Sequence, residues 1–227
     1  MLAKKYLSKV VELTNPIDGI YTVSFQSQGR QYKYKPGQFL HLSIDSQYDG
    51  IGQWPESRCF SMQSSPGELN LKITYSVKGA YTGLMEKSLG VGSDVWLKMP
   101  YGDLFQQQHD KTNTVFIAGG TGITPFLSLL TYESFQEYIN PKIYLGFRSQ
   151  TFNLYKKELA GLCNSSKLVN FFYEDIDGLL DIKYIFYENG KNSNYFISGP
   201  PDMIKNFRHS LITLGVASEN IFTDNWE

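Results

Sequence analysis

The rhythm of hydrophobic and polar positions changes near the middle of the chain. In the first half, short runs alternate apolar and polar side chains, and turn pairs such as Pro36-Gly37 separate them. Alternation with a period of two is typical of strands that bury one face. Six such runs occur, at residues 6–13, 21–25, 38–44, 59–63, 69–77 and 95–99. They predict a small antiparallel barrel or sandwich, with one helix around residues 82–89.

The second half alternates short apolar runs with stretches of helical length. Predicted strands cover residues 115–118, 142–147, 168–172, 195–198 and 221–222. Predicted helices cover residues 125–138, 154–162, 181–187 and 201–214. Strands alternating with helices form βαβ units around a parallel sheet, whose ligands lie beyond the carboxyl ends of the strands. A polar run at residues 106–113 separates the halves, so we expect domains at residues 1–109 and 110–227.

The stretch from Thr114 to Pro125 combines the features of an anion site. Four β-prone apolar residues lead into two glycines and a turn, and Thr124-Pro125 follows as a helix N-cap and first helical position. Such a turn presents backbone N–H groups and the positive end of a helix dipole, which predicts a phosphate or pyrophosphate site. A tight turn without a ligand is the alternative. The stretch matches neither G-x-G-x-x-G nor the P-loop pattern, so nucleotide hydrolysis is disfavoured.

Charge and cysteine content exclude several classes of function. The chain has 21 Lys and Arg against 22 Asp and Glu, which gives no bulk attraction to nucleic acid or to an anionic membrane. Two cysteines, Cys59 and Cys163, cannot form a four-cysteine iron–sulfur or zinc site, and the three histidines lack metal-ligand spacing. No apolar run approaches the ~20 residues of a membrane span, and the lysine-broken N-terminus lacks a secretion signal. We therefore expect a cytoplasmic protein without a bound metal.

Three motifs in sequence order carry a resemblance to a known family. They are Arg58-Cys59-Phe60-Ser61 on a predicted barrel strand, Gly119–Pro125, and Ser198–Met203 after a strand of the predicted sheet. In this order and spacing the chain resembles the ferredoxin–NADP reductase superfamily, in particular the bacterial flavodoxin/ferredoxin reductases. The resemblance implies an N-terminal antiparallel six-stranded β-barrel that binds FAD and a C-terminal α/β parallel-sheet domain that binds NAD(P).

The first motif corresponds to the family pattern Arg-x-Tyr-Ser, which holds FAD. The resemblance implies that Arg58 pairs with the FAD pyrophosphate, as a guanidinium fork can. It places Phe60 against the isoalloxazine ring and Ser61 within hydrogen-bonding reach of flavin N5. Phe60 departs from the family tyrosine and lacks its hydroxyl, and Cys59 stands where proline is common.

Other implied FAD contacts follow this motif along the chain. Residues at the flavin site of the family correspond here to Ile73, Thr74 and Tyr75. The Gly79–Thr82 turn resembles the family's Gly-x-x-Ser/Thr turn, in which Gly79 and the Thr82 hydroxyl bind an FAD phosphate at a helix start. Tyr81 is expected to stack on FAD. A plain helix cap is the alternative interpretation of this turn.

The resemblance also implies contacts to the nicotinamide coenzyme. Gly120, Thr121 and Gly122, followed by Thr124, are expected to hold its pyrophosphate. Arg148 is expected near the adenosine phosphates. Ser198-Gly199-Pro200 replaces the family's Cys-Gly-Pro beside the nicotinamide, and Trp226 corresponds to a C-terminal aromatic that stacks on the flavin. Ser61, Ser198 and Trp226 are the implied catalytic residues.

The implied reaction is hydride transfer from NAD(P)H to FAD, followed by electron transfer to a separate acceptor. The expected acceptor is ferredoxin or flavodoxin; an oxygenase component or free flavin is an alternative. A non-catalytic FAD-binding subunit and a flavin-free interaction module are rival hypotheses. Arg148, Ser149, Lys156 and Lys157 follow the second strand of the predicted parallel sheet, where cationic and hydroxyl groups favour NADPH over NADH.

Overall fold

The chain folds into two compact units. A computed structural model describes residues 2–163 and 169–224, with backbone only at residues 162 and 163. The first unit comprises Met1–Asp103 and Thr124–Tyr132, and the second comprises Leu104–Ile123 and Glu133–Glu227. Within the described ranges no helix is both long enough and apolar enough to cross a membrane.

The first unit contains a nearly closed, six-stranded antiparallel barrel. Its strands are β1 (Lys4–Ile17), β2 (Ile20–Ser27), β3 (Phe39–Ser43), β4 (Arg58–Ser61), β5 (Leu71–Ser76) and β6 (Asp94–Tyr101). They pair in the order β4-β3-β6-β1-β2-β5. The alternating runs of the first half therefore form strands, and the prediction of an antiparallel barrel is confirmed.

Alternation along the barrel strands produces one continuous apolar core. Side chains that are fully shielded from solvent come from five of the strands and the segment after β4: Val10, Val23, Phe25, Leu40, Leu42, Met62, Ile73 and Leu97. Helix α1 (Ala80–Ser88) follows β5 and inserts Tyr81 and Met85 into the same core. The predicted helix at residues 82–89 is confirmed, with a start two residues earlier.

Helix α2 (Thr124–Leu130) belongs to the first unit and is buried along its whole length. The Ser128 hydroxyl donates to the Ser64 carbonyl at 2.8 Å, which ties α2 to the segment after β4. The predicted helix at residues 125–138 was too long, since α2 ends at Leu130 and a 3₁₀ turn spans Glu133–Glu137. The Thr131 N–H still donates to the Leu127 carbonyl at 3.1 Å, but the Tyr132 N–H donates to the Leu129 carbonyl at 3.0 Å, so the α-helical hydrogen-bond pattern tightens and ends there.

The second unit is built on a five-stranded parallel sheet. Its strands are β7 (Thr114–Gly119), β8 (Lys142–Phe147), β9 (Val169–Tyr173), β10 (Asn194–Ser198) and β11 (Ile221–Thr223), in the order β11-β10-β7-β8-β9. Its helices are α3 (Lys156–Cys163), α4 (Glu174–Asp177), α5 (Ile182–Asn189) and α6 (Pro201–Thr213). The predicted alternation of strand and helix is confirmed, although α4 was not predicted and residue 168 lies outside the described ranges.

One face of the parallel sheet carries an aromatic stack set by strand register. Phe116, Phe196 and Phe222 occupy the same register position on β7, β10 and β11. The Phe196 and Phe222 rings stack at 4.5 Å, and those of Phe116 and Phe196 at 5.5 Å. His109 packs edge-on against Phe196 at 4.8 Å. The opposite face packs against α5 and α6 through a separate apolar cluster.

His109 makes the stability of the second unit depend on pH. Its Nδ1 donates to the Gln107 carbonyl at 2.7 Å, and its Nε2 accepts from the Tyr138 hydroxyl at 2.8 Å, a pattern that fits the neutral ring. Burial lowers the pKa of His109 below its ordinary value of 6.5.

The folded chain therefore binds this proton less tightly than the unfolded chain. Its contribution to the free energy of unfolding is fully present above about pH 6.5 and is lost as the pH falls through the lowered value. We expect urea unfolding between pH 7.5 and 5 to show this loss, and His109→Gln to reduce it; part of the loss remains, because burial also lowers the pKa of His41. An unchanged slope in the variant would contradict the assignment.

Candidate cofactor-binding sites

The structure distributes the predicted site residues over both units. Those in the first unit are Arg58, Phe60, Ser61, Ile73, Thr74, Tyr75, Gly79, Tyr81, Thr82 and Thr124. Those in the second unit are Gly120, Thr121, Gly122, Arg148, Ser198, Gly199 and Pro200. Trp226 lies outside the described residues. The individual cofactor roles of these residues stay predictions. The contacts, burial and charge around each residue are described in turn.

Arg58 begins β4 with its guanidinium exposed and held over an aromatic ring. The guanidinium carbon lies 4.7 Å from the centre of the Tyr81 ring. Its Nη2 also contacts a carboxylate oxygen of Glu56 at 3.0 Å, but both side chains are about half exposed or more. Such a surface ion pair contributes little, because solvent screens it. An anionic ligand can therefore replace Glu56 at small cost.

Tyr81 fixes the place of that guanidinium relative to helix α1. Its hydroxyl donates to the Leu42 carbonyl at 2.9 Å and accepts from the Ile44 backbone N–H at 3.2 Å. Tyr81 stands in the first turn of α1, so Arg58 lies close to the positive end of the helix dipole. A cation beside a helix N-terminus is an arrangement that suits a phosphate.

The Thr82 hydroxyl caps α1 from within. It accepts from the backbone N–H groups of Lys78 at 2.9 Å and Gly79 at 3.1 Å. The plain helix cap considered for this turn is therefore present. The same hydroxyl donates its proton to the Gly79 carbonyl at 3.1 Å. Its contact with an FAD phosphate remains a prediction, and it would require the hydroxyl to donate that proton to the phosphate instead.

Strand β5 brings an aromatic pair to the edge of the barrel. The Tyr75 and Phe60 rings lie 5.9 Å apart, so they join edge strands β4 and β5. Next to Tyr75, the Thr74 hydroxyl donates to Gln63 Oε1 at 2.6 Å. Among residues 2–163 and 169–224, the buried Tyr75 hydroxyl has no hydrogen-bond partner. Buried polar groups are normally paired, so this hydroxyl is a candidate for a hydrogen bond to a bound ligand.

These features together fit FAD. Arg58 and the start of α1 offer positive charge for its pyrophosphate, and Phe60 offers an apolar ring for the flavin. Ser61 is buried at the end of β4, and its contact with flavin N5 remains a prediction. When bound, FAD supplies the electron-accepting chemistry that no side chain of this group provides.

In the second unit, two glycine turns meet backbone to backbone. They follow β7 and β10, which are neighbouring parallel strands. A Cβ on Gly122 would lie 2.5 Å from the Gly199 Cα and 2.7 Å from the Ser198 carbonyl carbon. Gly120 has a φ of +56°, a backbone conformation that residues with a Cβ atom disfavour. Only glycine permits this close approach at the carboxyl ends of two strands, where ligands of parallel sheets bind.

Ser198, at the end of β10, is tied to an acidic residue near the last strand. Its hydroxyl donates to Asp224 Oδ2 at 3.0 Å, and both side chains are buried. The Asp224 N–H in turn donates to the Ile197 carbonyl at 3.0 Å. A buried carboxylate therefore stands beside the residue that replaces the family cysteine.

Removing this hydroxyl is expected to destabilise the protein. Ser198→Ala leaves the buried Asp224 carboxylate with one donor fewer, and we expect the free energy of unfolding to fall by about 1.5–3 kcal/mol. Ser193→Ala is the matched control, because the equally buried Ser193 hydroxyl donates at 2.7 Å to the uncharged Asn189 carbonyl. Its loss should cost about 1 kcal/mol. If urea unfolding showed the same decrease in the free energy of unfolding for both variants, the Ser198 hydroxyl would not have a charged partner.

The residues after β8 form a polar, cationic segment. The exposed Arg148 guanidinium lies 5.8 Å from the centre of the Phe152 ring, and the hydroxyls of Ser149 and Thr151 are 2.7 Å apart. Lys156 and Lys157 are exposed in the first turn of α3. The segment has the charge expected for a coenzyme phosphate.

Gln63 and Asp224 were not among the predicted site residues. Gln63 holds Thr74, and Asp224 holds Ser198. Each pair joins residues that are separate in sequence, and the pairing depends on which strands are neighbours. The acidic residue shortly before the C-terminal aromatic was the available signal for Asp224.

Comparisons with known proteins agree with this architecture. A ferredoxin NADP+ reductase from Neisseria gonorrhoeae, solved with bound FAD and NADP, superposes with a TM-score of 0.79 over 98% of this chain and 98% of its own, at 17% identity. The chain thus has the fold of the ferredoxin–NADP reductase-like FAD/NAD oxidoreductases, as predicted. Within it, residues 116–209 match the family model described as the oxidoreductase NAD-binding domain.

Two curated relatives share sequence with this chain. The reductase component of propane 2-monooxygenase from Rhodococcus jostii (strain RHA1) is 31% identical over 131 residues, which are 56% of this chain and 33% of the relative. Flavohemoprotein A from Dictyostelium discoideum is 24% identical over 203 residues, 83% of this chain and 51% of the relative. The chain therefore spans a third to a half of the length of these relatives.

Proposed function

We propose that this protein is an FAD-dependent NAD(P)H oxidoreductase that transfers hydride from NAD(P)H to FAD and then passes electrons to a separate acceptor. One observation carries the proposal: each unit holds an arrangement of the kind that suits a phosphate. In the first unit Arg58 lies over Tyr81 at the start of α1. In the second unit Gly122 and Gly199 bring two strand ends together. Two dinucleotides, FAD in the first unit and NAD(P)H in the second, would fill such a pair of sites.

The protein's own groups bind and orient, and they do not act as strong acids or bases. Arg58 neutralises phosphate charge, and the Phe60 ring covers an apolar surface. Ser61 can hydrogen-bond the reacting edge of the flavin, and Ser198, held by Asp224, lies at the carboxyl end of β10 for the nicotinamide. Because hydride transfer moves the proton and electron pair together, it needs positioning within about 3–3.5 Å and exclusion of water.

The separate acceptor is proposed to be ferredoxin, flavodoxin or an oxygenase component. The relative from Rhodococcus jostii is named as a reductase component of a monooxygenase, which supports an oxygenase or electron-carrier partner. These 227 residues contain two cysteines, too few for a four-cysteine iron–sulfur site, which supports an acceptor centre outside them. We further propose a cytoplasmic reaction, since NAD(P)H is the donor.

The FAD content and the NAD(P)H-dependent activity of the purified protein test the proposal. We expect a yellow protein with about one FAD per chain that reduces ferricyanide or an added ferredoxin when NAD(P)H is supplied. A colourless protein that takes up no added FAD would overturn the proposal and favour a flavin-free interaction module. A yellow protein without NAD(P)H-dependent reduction would overturn the enzymatic part and favour a non-catalytic FAD-binding subunit.

We propose NADPH as the preferred donor. Arg148, Ser149 and the two lysines at the start of α3 offer cationic and hydroxyl partners for a 2′-phosphate. Charge-assisted hydrogen bonds of this kind contribute about 1.5–3 kcal/mol each. We therefore expect kcat/KM for NADPH to exceed that for NADH at least tenfold, and Arg148→Ala to remove most of the difference. The control Lys183→Ala, an exposed position on α5, should leave the ratio unchanged. A higher kcat/KM for NADH would reject the preference.

A further inference from the structure

Tyr75 differs from three other buried tyrosines of the barrel unit in what its hydroxyl contacts. The Tyr32 hydroxyl donates to Ser8 Oγ at 2.9 Å, the Tyr34 hydroxyl to the Ser64 carbonyl at 3.0 Å, and the Tyr81 hydroxyl to the Leu42 carbonyl at 2.9 Å. The Tyr75 side chain is 3% exposed, yet its hydroxyl has no partner within the described part of the chain. Burying an unpaired hydroxyl costs free energy, so phenylalanine would suit the core better if the oxygen served nothing.

The neighbours of Tyr75 show where this hydroxyl belongs. Its ring stacks on Tyr21 at 5.3 Å and lies 5.9 Å from the Phe60 ring. The Tyr21 hydroxyl is satisfied by Glu86 at 3.0 Å, so the packed pair has one paired and one unpaired oxygen. Phe60 is the motif residue at which this chain lacks the hydroxyl of the family tyrosine. The Phe60 ring, which lacks the family hydroxyl, therefore lies next to the Tyr75 ring, whose hydroxyl is unpaired.

We propose that the Tyr75 hydroxyl donates a hydrogen bond to an oxygen of the bound flavin and so replaces the hydroxyl that Phe60 cannot supply. The inference rests on the proposed function, since it requires FAD in this unit. Phe60 then acts only as an apolar surface, and Tyr75 orients the flavin on the strand next to it. Burial raises the pKa of Tyr75, so the hydroxyl keeps its proton at neutral pH and acts as a donor.

The inference predicts opposite effects of one substitution on two measurements. Tyr75→Phe removes an oxygen that has no protein partner, so the FAD-free protein should be as stable to urea as the wild type, or more stable. The same change removes a bond to the flavin, so the Kd for FAD should rise about tenfold, which corresponds to 1.4 kcal/mol. A purely structural tyrosine would not separate the two readouts in this way.

Tyr32→Phe is the matched control, because Tyr32 is equally buried in the same barrel and its hydroxyl has a protein partner. It should lower the stability of the FAD-free protein and leave the Kd for FAD unchanged. Adding Phe60→Tyr to the Tyr75→Phe variant should restore FAD affinity by returning the hydroxyl to the motif position. The Kd can be followed by quenching of flavin fluorescence, and stability by urea unfolding.

The outcomes separate the two levels of the proposal. Wild-type protein that fails to bind FAD at all would reject the proposed function. Wild-type protein that binds FAD with the same Kd as Tyr75→Phe would reject only the role of this hydroxyl. A loss of FAD-free stability in Tyr75→Phe equal to that of Tyr32→Phe would also reject it, because the oxygen would then have a protein partner. A double variant that binds FAD as weakly as Tyr75→Phe would contradict the replacement of the Phe60 hydroxyl.

Discussion

Gly122→Ala is expected to lower the free energy of unfolding by about 3 kcal/mol or more, and to weaken NAD(P)H binding in the fraction that folds. The new Cβ would lie 2.5 Å from the Gly199 Cα and 2.6 Å from the Gly199 nitrogen. Both contacts are with backbone, which cannot turn aside as a flexible side chain would. The turn after β7 must then move away from the turn after β10, and the donors that face the coenzyme phosphates move with it.

Gly161→Ala gives the matched control in the same unit. Gly161 lies in α3, and a Cβ there meets nothing within 4 Å. Alanine has a higher helix propensity than glycine by about 1 kcal/mol, so this variant should be equally stable or more stable. Thermal unfolding and the KM for NAD(P)H measure both variants. A Gly122→Ala protein as stable and as active as Gly161→Ala would show that the two turns do not require glycine.

Arg58→Gln is expected to raise the Kd for FAD at least a hundredfold with little change in the stability of the FAD-free protein. In the proposed complex, Arg58 makes two charge-assisted hydrogen bonds to phosphate, each worth about 1.5–3 kcal/mol. In the protein itself, Arg58 has an exposed ion pair with Glu56 and a stacking contact with Tyr81. These surface contacts contribute little, so the loss should fall on binding.

A second arginine in the barrel unit offers a close control. The Arg30 guanidinium lies 4.8 Å from the centre of the Tyr6 ring, nearly the same stacking as Arg58 on Tyr81. It also donates to the Lys5 carbonyl at 2.7 Å, and it is remote from α1 in sequence. Arg30→Gln should therefore leave the Kd for FAD unchanged. Equal Kd values for both variants, measured by flavin fluorescence, would remove Arg58 from the binding site.

The strands were predictable because the number of faces that a strand buries determines the order of apolar and polar residues along it. The alternation at Tyr21–Phe25 arises from a strand with one buried face, and the uninterrupted apolar run of β7 arises from a strand buried on both. The end of α2 was not predictable in this way. Tyr132, Phe135 and Tyr138 follow Leu130 at a spacing of three residues, which suggests continued helix, and the change to a Tyr132–Leu129 backbone hydrogen bond shows only in the structure.

The sequence predicts which residues belong to the candidate sites, but it does not predict which of them are in contact. The sequence indicates Arg58, Gly122 and Ser198 through resemblance, and these assignments remain predictions. It does not indicate that Gly122 meets Gly199 or that Ser198 bonds Asp224, since both contacts depend on the order of strands in the sheet. The unpaired hydroxyl of Tyr75 is likewise a property of the folded core, because it depends on what surrounds the oxygen.

Anaerobic stopped-flow mixing of the FAD-loaded protein with NADPH, and separately with NADH, tests the central claim most directly. The account predicts that the yellow absorbance of the oxidised flavin bleaches with one equivalent of coenzyme per FAD. It also predicts that the absorbance returns when an electron acceptor is added. Absorbance that persists in the presence of excess NADPH and excess NADH would contradict the account.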